Sequence, residues 1–254
     1  MGNMLLVKPI IANAVVASTG TNDQNLLTPD PKEVWAGTVD GADSAFDFDF
    51  GPGVAIDSLF VGFIGNTSAP TIHWTSGAAG YTTTNRLATT SAMAPSRLAS
   101  PLRRHGFWRT GAPFSDRYHR LVFAPGVAAT VTVGIVVFGL ALQTTYNREW
   151  GAGRGVVDTG AKERLLGGGF GIGRGARKGT FRWTWGDLSD AEVDAIYDLG
   201  LKVGETDPIL VVEDPADAAG LNEGLHYGLF DRFEPYERAD PQNTRWSLSV
   251  EQWV

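Results

Sequence analysis

The sequence predicts a mainly β protein in three parts, and three observations lead there. Glycine is abundant, 32 in 254 residues, and it is scattered among short Val, Ile, Phe and Thr runs, so turns are frequent. Several of those runs alternate apolar and polar side chains at period two, the mark of half-buried strands. Helical spacing is confined to one stretch. The expected organisation is a β-sandwich or barrel over residues 1–145, a Gly/Arg-rich connecting arm or linker over 146–180, and a C-terminal β-rich α+β domain over 181–254 with one clear helix near 189–201.

The elements follow in order. Asn25-Leu-Leu-Thr-Pro-Asp-Pro31 is a turn cluster leading to Trp35. Ala45-Phe-Asp-Phe-Asp-Phe50 alternates apolar and acidic residues, predicting a strand with one wet face, and Gly51-Pro-Gly53 ends it. Ile56 to Ile64 is apolar enough for a strand buried on both faces, and Thr71 to Thr75 is a further strand. Ser91 to Phe114 is rich in Pro, Ser and Arg and lacks periodicity, so it is expected to be a long loop. Tyr118 to Ala124 and Thr130 to Leu142 restore strand patterning around the turn Pro125-Gly126.

Residues 147–180 change character, with glycines interleaved by Arg154, Arg164, Arg174, Arg177 and Lys178. That composition reads as a linker, a flexible arm, or an extended loop ordered only by a partner. The five basic residues are the candidate interface. The last part opens on a strand, Thr180 to Trp185. Ser189 and Glu192 then form a capping-box pair at a helix start, Val193, Ile196, Tyr197 and Leu201 form its apolar stripe, and Gly204 is its stop. Pro208 to Val212, His226 to Phe230 and Arg245 to Trp253 are the remaining strands.

Charge is segregated along the chain. Residues 1–85 carry two basic and eight acidic side chains, residues 86–182 fifteen and four, and residues 183–254 four and sixteen, within an overall charge of −7. Such asymmetry favours complementary docking, either between parts of one chain or between neighbouring copies. The absence of cysteine removes disulfides, thiolate metal sites and cysteine nucleophiles. Met1-Gly2-Asn3-Met4 has no basic region before an apolar stretch, which reads against a signal peptide. The apolar run Val127 to Leu142 is too short and too interrupted for membrane insertion.

No catalytic constellation is legible, so the expectation is a protein that is not an enzyme. The glycine run at 167–175 lacks G-x-G-x-x-G spacing, and Lys178-Gly179-Thr180 is not the Gly-Lys-Thr order of a phosphate loop. His73, His105, His119 and His226 are scattered without metal-ligand spacing, and no G-x-S-x-G elbow occurs. Sequence alone leaves open a carboxylate pair of the kind a glycosidase uses. The basic band has interleaved aromatics, but the chain is acidic and carries no nucleic-acid motif, so a protein partner is the expectation. Trp35, Trp183, Trp185, Trp246 and Trp253 lie in strand patterns and read as core. Trp74, Trp108 and Trp150 lie near loops, and Trp74 and Trp108 are the candidate glycan-stacking residues.

The N-terminal half resembles the galactose-binding-like, or discoidin-like, jelly rolls. The resemblance is carried by Ala17-Ser18, Asn25 to Pro31 with Trp35, Phe46 to Gly51, Ile56 to Phe63, and Arg117-Tyr-His-Arg-Leu-Val-Phe123. It implies a jelly-roll β-sandwich binding glycans or proteins through loops at one end. The turn resembling the family's calcium loop reads Pro29-Asp30-Pro31 where an Asp-Gly pair is usual, which argues against a structural calcium; no cofactor is expected. The whole chain, with Asn147-Arg-Glu-Trp-Gly151, Trp183 to Glu192 and the Trp-rich terminal strand, is similar to minor tail or baseplate proteins near the tail tip of long-tailed bacteriophages. That similarity implies a virion protein assembled in the host cytoplasm, in several copies around the tail axis, among neighbouring tail proteins and contributing to host attachment. The alternative is an adhesin whose jelly roll recognises host saccharide.

Overall fold

Leu5, Leu6 and Val7 are all buried, and this three-residue run already shows the plan of the molecule, because its two faces enter different cores. The computed structural model describes residues 2–39, 43–65, 71–87, 94–95, 104–124, 129–217, 220–238 and 243–253. In chain order the strands begin with β1 (Leu5–Val7), β2 (Ala14–Ala17), β3 (Trp35–Val39), β4 (Ser44–Asp49), β5 (Ile56–Ile64), β6 (Thr71–Gly77) and β7 (Thr84–Leu87). They continue with β8 (Ala94–Pro95), β9 (Arg104–Phe114), β10 (Tyr118–Ala124), β11 (Ala129–Val133), β12 (Ile135–Gly139) and β13 (Ala141–Gln143). The remainder comprises β14 (Gly153–Asp158), β15 (Ala161–Arg164), β16 (Phe170–Gly173), β17 (Arg177–Leu188), α1 (Asp190–Val203), β18 (Ile209–Val212), β19 (Leu225–Phe233), β20 (Glu237–Arg238) and β21 (Thr244–Gln252).

The first part is a jelly-roll β-sandwich. Its outer sheet has the order β2-β4-β10-β6-β7, and its inner sheet the order β12-β5-β9-β8, with β3 and β11 paired beside them. In β4 the alternation is realised: Phe46 and Phe48 point into the sandwich while Asp47 and Asp49 point out, where each is held by an arginine of β10 or its approach. Arg117 donates to both oxygens of Asp49 at 2.8 and 2.7 Å, and those hydrogen bonds hold the Asp49 carboxyl below the usual carboxylate range. At the centre Phe138 meets Phe48, Trp74 and His119 edge-to-face, and Phe50 meets His119 likewise.

The continuous apolar run of β5 has a direct cause. Leu59 and Val61 face the sandwich core, whereas Phe60 and Phe63 face away from it into a second core shared with the C-terminal part. β12 divides likewise, with Val136 and Phe138 on one side and Ile135 and Val137 on the other. The partner across that second core is an eight-stranded platform sheet in which β13-β1-β18-β19-β21-β17-β14 form the path and β20 pairs β21. Leu210, Val212 and Tyr227 of the platform pack against Phe60 and Phe63. The platform's other face, with Trp183, Trp185, Val211 and Leu248, is covered by α1 through Val193, Ile196 and Val203. The order of layers is outer sandwich sheet, inner sandwich sheet, platform sheet, helix.

Four expectations are revised. The boundary expected at 145 is crossed, because β1 and β13 are platform strands: Leu5 to Val7 pair with Gln143 to Ala141 on one side and Val212 to Leu210 on the other. The long loop expected to end at Phe114 contains β9, eleven residues paired with β5; its Gly106, Gly111 and Pro113 mask the strand in the sequence. Most of the segment before it, and the turn at Pro125-Gly126, lie outside the described residues. The Gly/Arg segment is a paired β-hairpin, and β17 begins at Arg177, three residues before the expected start. In α1 the capping box and the stop at Gly204 (φ 58°) are present, but Tyr197 and Leu201 face outward, leaving Val193, Ile196 and Val203 as the buried stripe.

Candidate functional site

Two surface features stand apart from the packed layers. The first is the hairpin arm. β14 pairs with the start of β17 from Gly153–Arg182 to Asp158–Arg177, and after a short irregular step β15 pairs with β16 from Ala161–Gly173 to Arg164–Phe170. The portion beyond Asp158 and Arg177 reaches about 25 Å from the platform edge at roughly 3.3 Å per residue. Its cross-strand pairs put Lys162 opposite Ile172 and Arg164 opposite Phe170, so one face is basic and apolar. The other face, Ala161, Glu163, Gly171 and Gly173, is nearly bare. Leu165 and Leu166 occupy the tip, and both are exposed, as are Val156 on the arm's stem and Ile172 (72%). Lys162 lies over the Phe170 ring at 4.2 Å.

The second feature is a polar cleft of about 250 Å³ at the arm's root, bordered by Arg148, Trp150, Arg154, Glu213, Asp214 and Asp217. Glu213 sits at its floor, 8% exposed. Its carboxylate accepts from Arg148 Nη2 at 3.0 Å, Arg154 Nε at 2.7 Å and His226 Nε2 at 2.7 Å, and its backbone carbonyl accepts from Arg148 Nη1 at 2.8 Å. Gln252 Nε2 donates to His226 Nδ1 at 2.7 Å, which leaves the ring neutral with its proton on Nε2. Phe181 stacks on that ring at 4.6 Å. Burial would raise the Glu213 pKa, but the hydrogen bonds from His226 and Arg154 outweigh it and hold the carboxyl below its ordinary value. Burial lowers His226, and Glu213 opposes that only in part.

The candidate interface residues divide on this geometry. Arg154 is committed to Glu213, Arg177 to Asp158 at 3.2 Å within the arm, and Lys178 to Glu251 at 2.8 Å. Arg164 and Arg174 make no ion pair among the described residues and remain available. Much of the charge segregation is therefore spent within one chain, since Arg117 and Arg120 also pair with Asp49 and Asp47.

Of the two glycan-stacking candidates, Trp74 is corrected. Trp74 is fully buried, with its indole N–H donated to His119 Nδ1 at 3.2 Å, because it lies mid-strand in β6, an internal strand, and faces the sandwich core. Trp108 is half-buried against the sandwich core. The exposed loop indole is Trp150, 98% accessible at the rim of the polar cleft. Sequence reasoning missed the Glu213 cluster, since Arg148 and Arg154 lie 65 and 59 residues from Glu213 in sequence. Among the described residues no group of three or more His, Asp or Glu is arranged to hold a metal ion, and no helix is long and apolar enough to cross a membrane.

No family model matches the chain, and no curated protein matches it. Among solved structures, a carbohydrate-binding module of a family 31 glycoside hydrolase from Clostridium perfringens is 14% identical, with a TM-score of 0.38 over 52% of this chain and 97% of that one. A family 32 module of C. perfringens NanJ, solved with galactose, is 10% identical, with a TM-score of 0.39 over 53% of this chain and 98% of its own. A chitosan-binding module from a Paenibacillus chitosanase/glucanase is 10% identical, with a TM-score of 0.38 over 53% of this chain and 99% of its own.

Proposed function

We propose that the chain is a non-catalytic assembly protein that joins copies of itself through the hairpin arm and carries a galactose-binding-like sandwich on the resulting scaffold. The observation that carries this reading is the arm. It is a β-hairpin of two ladders joined by a short irregular step, extends beyond the platform and buries almost nothing, yet displays Leu165, Leu166, Phe170 and Ile172 to solvent. Ordered apolar surface of that kind marks an interaction site. The tail-tip setting suggested by the sequence supplies repeated copies around an axis, where such an arm would bridge neighbours.

The test removes the arm alone. Asp158 and Arg177 are directly paired, so residues 159–176 can be replaced by Asn-Gly, a two-residue turn suited to a tight hairpin. Light scattering after size exclusion should show a discrete oligomer for the intact chain and a monomer for the arm-less one, with unchanged circular dichroism. A monomeric intact chain at every concentration and salt would remove the reading.

A second reading, saccharide recognition, is favoured by Trp150. An accessible indole beside Asp214, Asp217 and Arg148 offers an apolar face for a sugar ring and polar groups for its hydroxyls. Trp150→Ala is expected to weaken retention on an immobilised galactoside and chitosan panel by about tenfold. Unchanged retention in the variant would move recognition to the sandwich loops, and no retention by the intact chain would end this reading.

A further inference from the structure

The outer face of α1 also displays apolar side chains without cover. Tyr197 (53% exposed) and Leu201 (69%) lie one turn apart on it. Asp194 and Asp198 flank them, both exposed and without an ion pair among the described residues. The pattern mirrors the arm, where Phe170, Ile172 and Leu166 are flanked by the available Arg164 and Arg174. One surface is apolar and acidic, the other apolar and basic. Both are exposed in the same chain, so the arm does not cover its own helix.

We propose that the basic-apolar face of the arm docks on the Tyr197–Leu201 face of α1 in a second copy of this chain, a step that rests on the assembly reading above and names its acceptor. The arm's opposite face supports the contact. Added side chains at Gly171 and Gly173 would meet only ordinary van der Waals neighbours within the chain, so nothing internal demands glycine there. A bare ladder face lets a third surface approach closely while the decorated face is engaged. Because arm and helix are different patches, the contact is heterologous and propagates head to tail, closing into a ring when the rotation permits.

The experiment uses full-length chains carrying charge reversals at exposed positions. One variant has Arg164→Glu with Arg174→Glu; another has Asp194→Arg with Asp198→Arg; a third combines all four. Self-association is measured by light scattering across concentration. Each single-surface variant should raise the dissociation constant about tenfold or more, as expected for lost electrostatic complementarity, and the combined variant should restore assembly. Mixing the two single-surface variants should also restore it, since each then offers the complement of the other. A helix variant that assembles like the unaltered chain, or a combined variant that stays monomeric, overturns the α1 acceptor while the assembly reading stands. An unaltered chain that never self-associates brings down both.

Discussion

Glu213→Leu is expected to lower the free energy of unfolding by about 3–5 kcal/mol, the range seen when one partner of a buried ion pair is removed. The carboxylate is the common acceptor of Arg148, Arg154 and His226, and losing it strands an imidazole N–H that is 1% exposed and a largely buried Arg148 guanidinium. Arg154 is nearly half exposed and can turn to water, so most of the loss comes from the other two. Glu213→Gln keeps an acceptor oxygen in place and should lose less, about 1–3 kcal/mol. Urea denaturation followed by tryptophan fluorescence reads both, with Trp183 and Trp185 in the adjoining core. Equal losses for Leu and Gln would show that the charge, and not the stranded donors, governs the site.

Acidification should destabilise the sandwich through His119. Its ordinary pKa of 6.5 is pushed by burial to about 4, while Trp74 donates to Nδ1 and Nε2 faces the Asp116 carbonyl at 3.1 Å. Above pH 6.5 the ring is neutral in both the folded and unfolded chain, and its contribution is fully present. Between about 6.5 and 4 the unfolded chain takes up a proton that the fold refuses. Stability then falls by about 1.4 kcal/mol per pH unit, for a total of about 3 kcal/mol. His226, also lowered by burial, adds to the fall in the same direction. His119→Gln, which retains an oxygen acceptor for Trp74, should flatten part of this slope when urea midpoints are compared at pH 7 and pH 4.5. An identical slope in the variant would assign the acid sensitivity elsewhere.

How much of this was legible from the sequence depends on what each segment buries. Phe46 and Phe48 alternate with Asp47 and Asp49 because one face of β4 meets the core, and burial writes itself into the pattern. The capping box at Ser189 and Glu192 is local chemistry and was equally readable. The arm was not. Its strands bury almost nothing, so they lack the apolar-polar alternation of a half-buried strand, and their Gly/Arg composition looks like a linker although two ladders pair along it. The stripe on α1 was misread for the converse reason: Tyr197 and Leu201 keep helical spacing with Val193, yet face away from the platform. β1 is three residues long, and its platform partners lie in distant sequence, so no window could have assigned it. The same distance hid the Glu213 cluster, whose members come from four separate segments.

The placement of β1 beside β13 has a consequence for the order in which the molecule is built. Leu5 to Val7 cannot meet Leu210 to Val212 until most of the chain exists, and closing so long a loop carries a large entropic penalty. The sandwich removes much of that penalty. Its own strands are complete at Gly139, and Ile10 is already bridged to Phe138, so folding of the sandwich delivers β1 and β13 side by side. Synthesis from the N-terminus therefore presents a closed domain bearing a two-stranded seed before the later platform strands emerge. Of the later strands, β18 adds to the open edge of β1, β19 to β18 and β21 to β19, while β14 and β17 pair with each other and join last through β21, so the insertion that interrupts the platform in sequence becomes the template for one half of it.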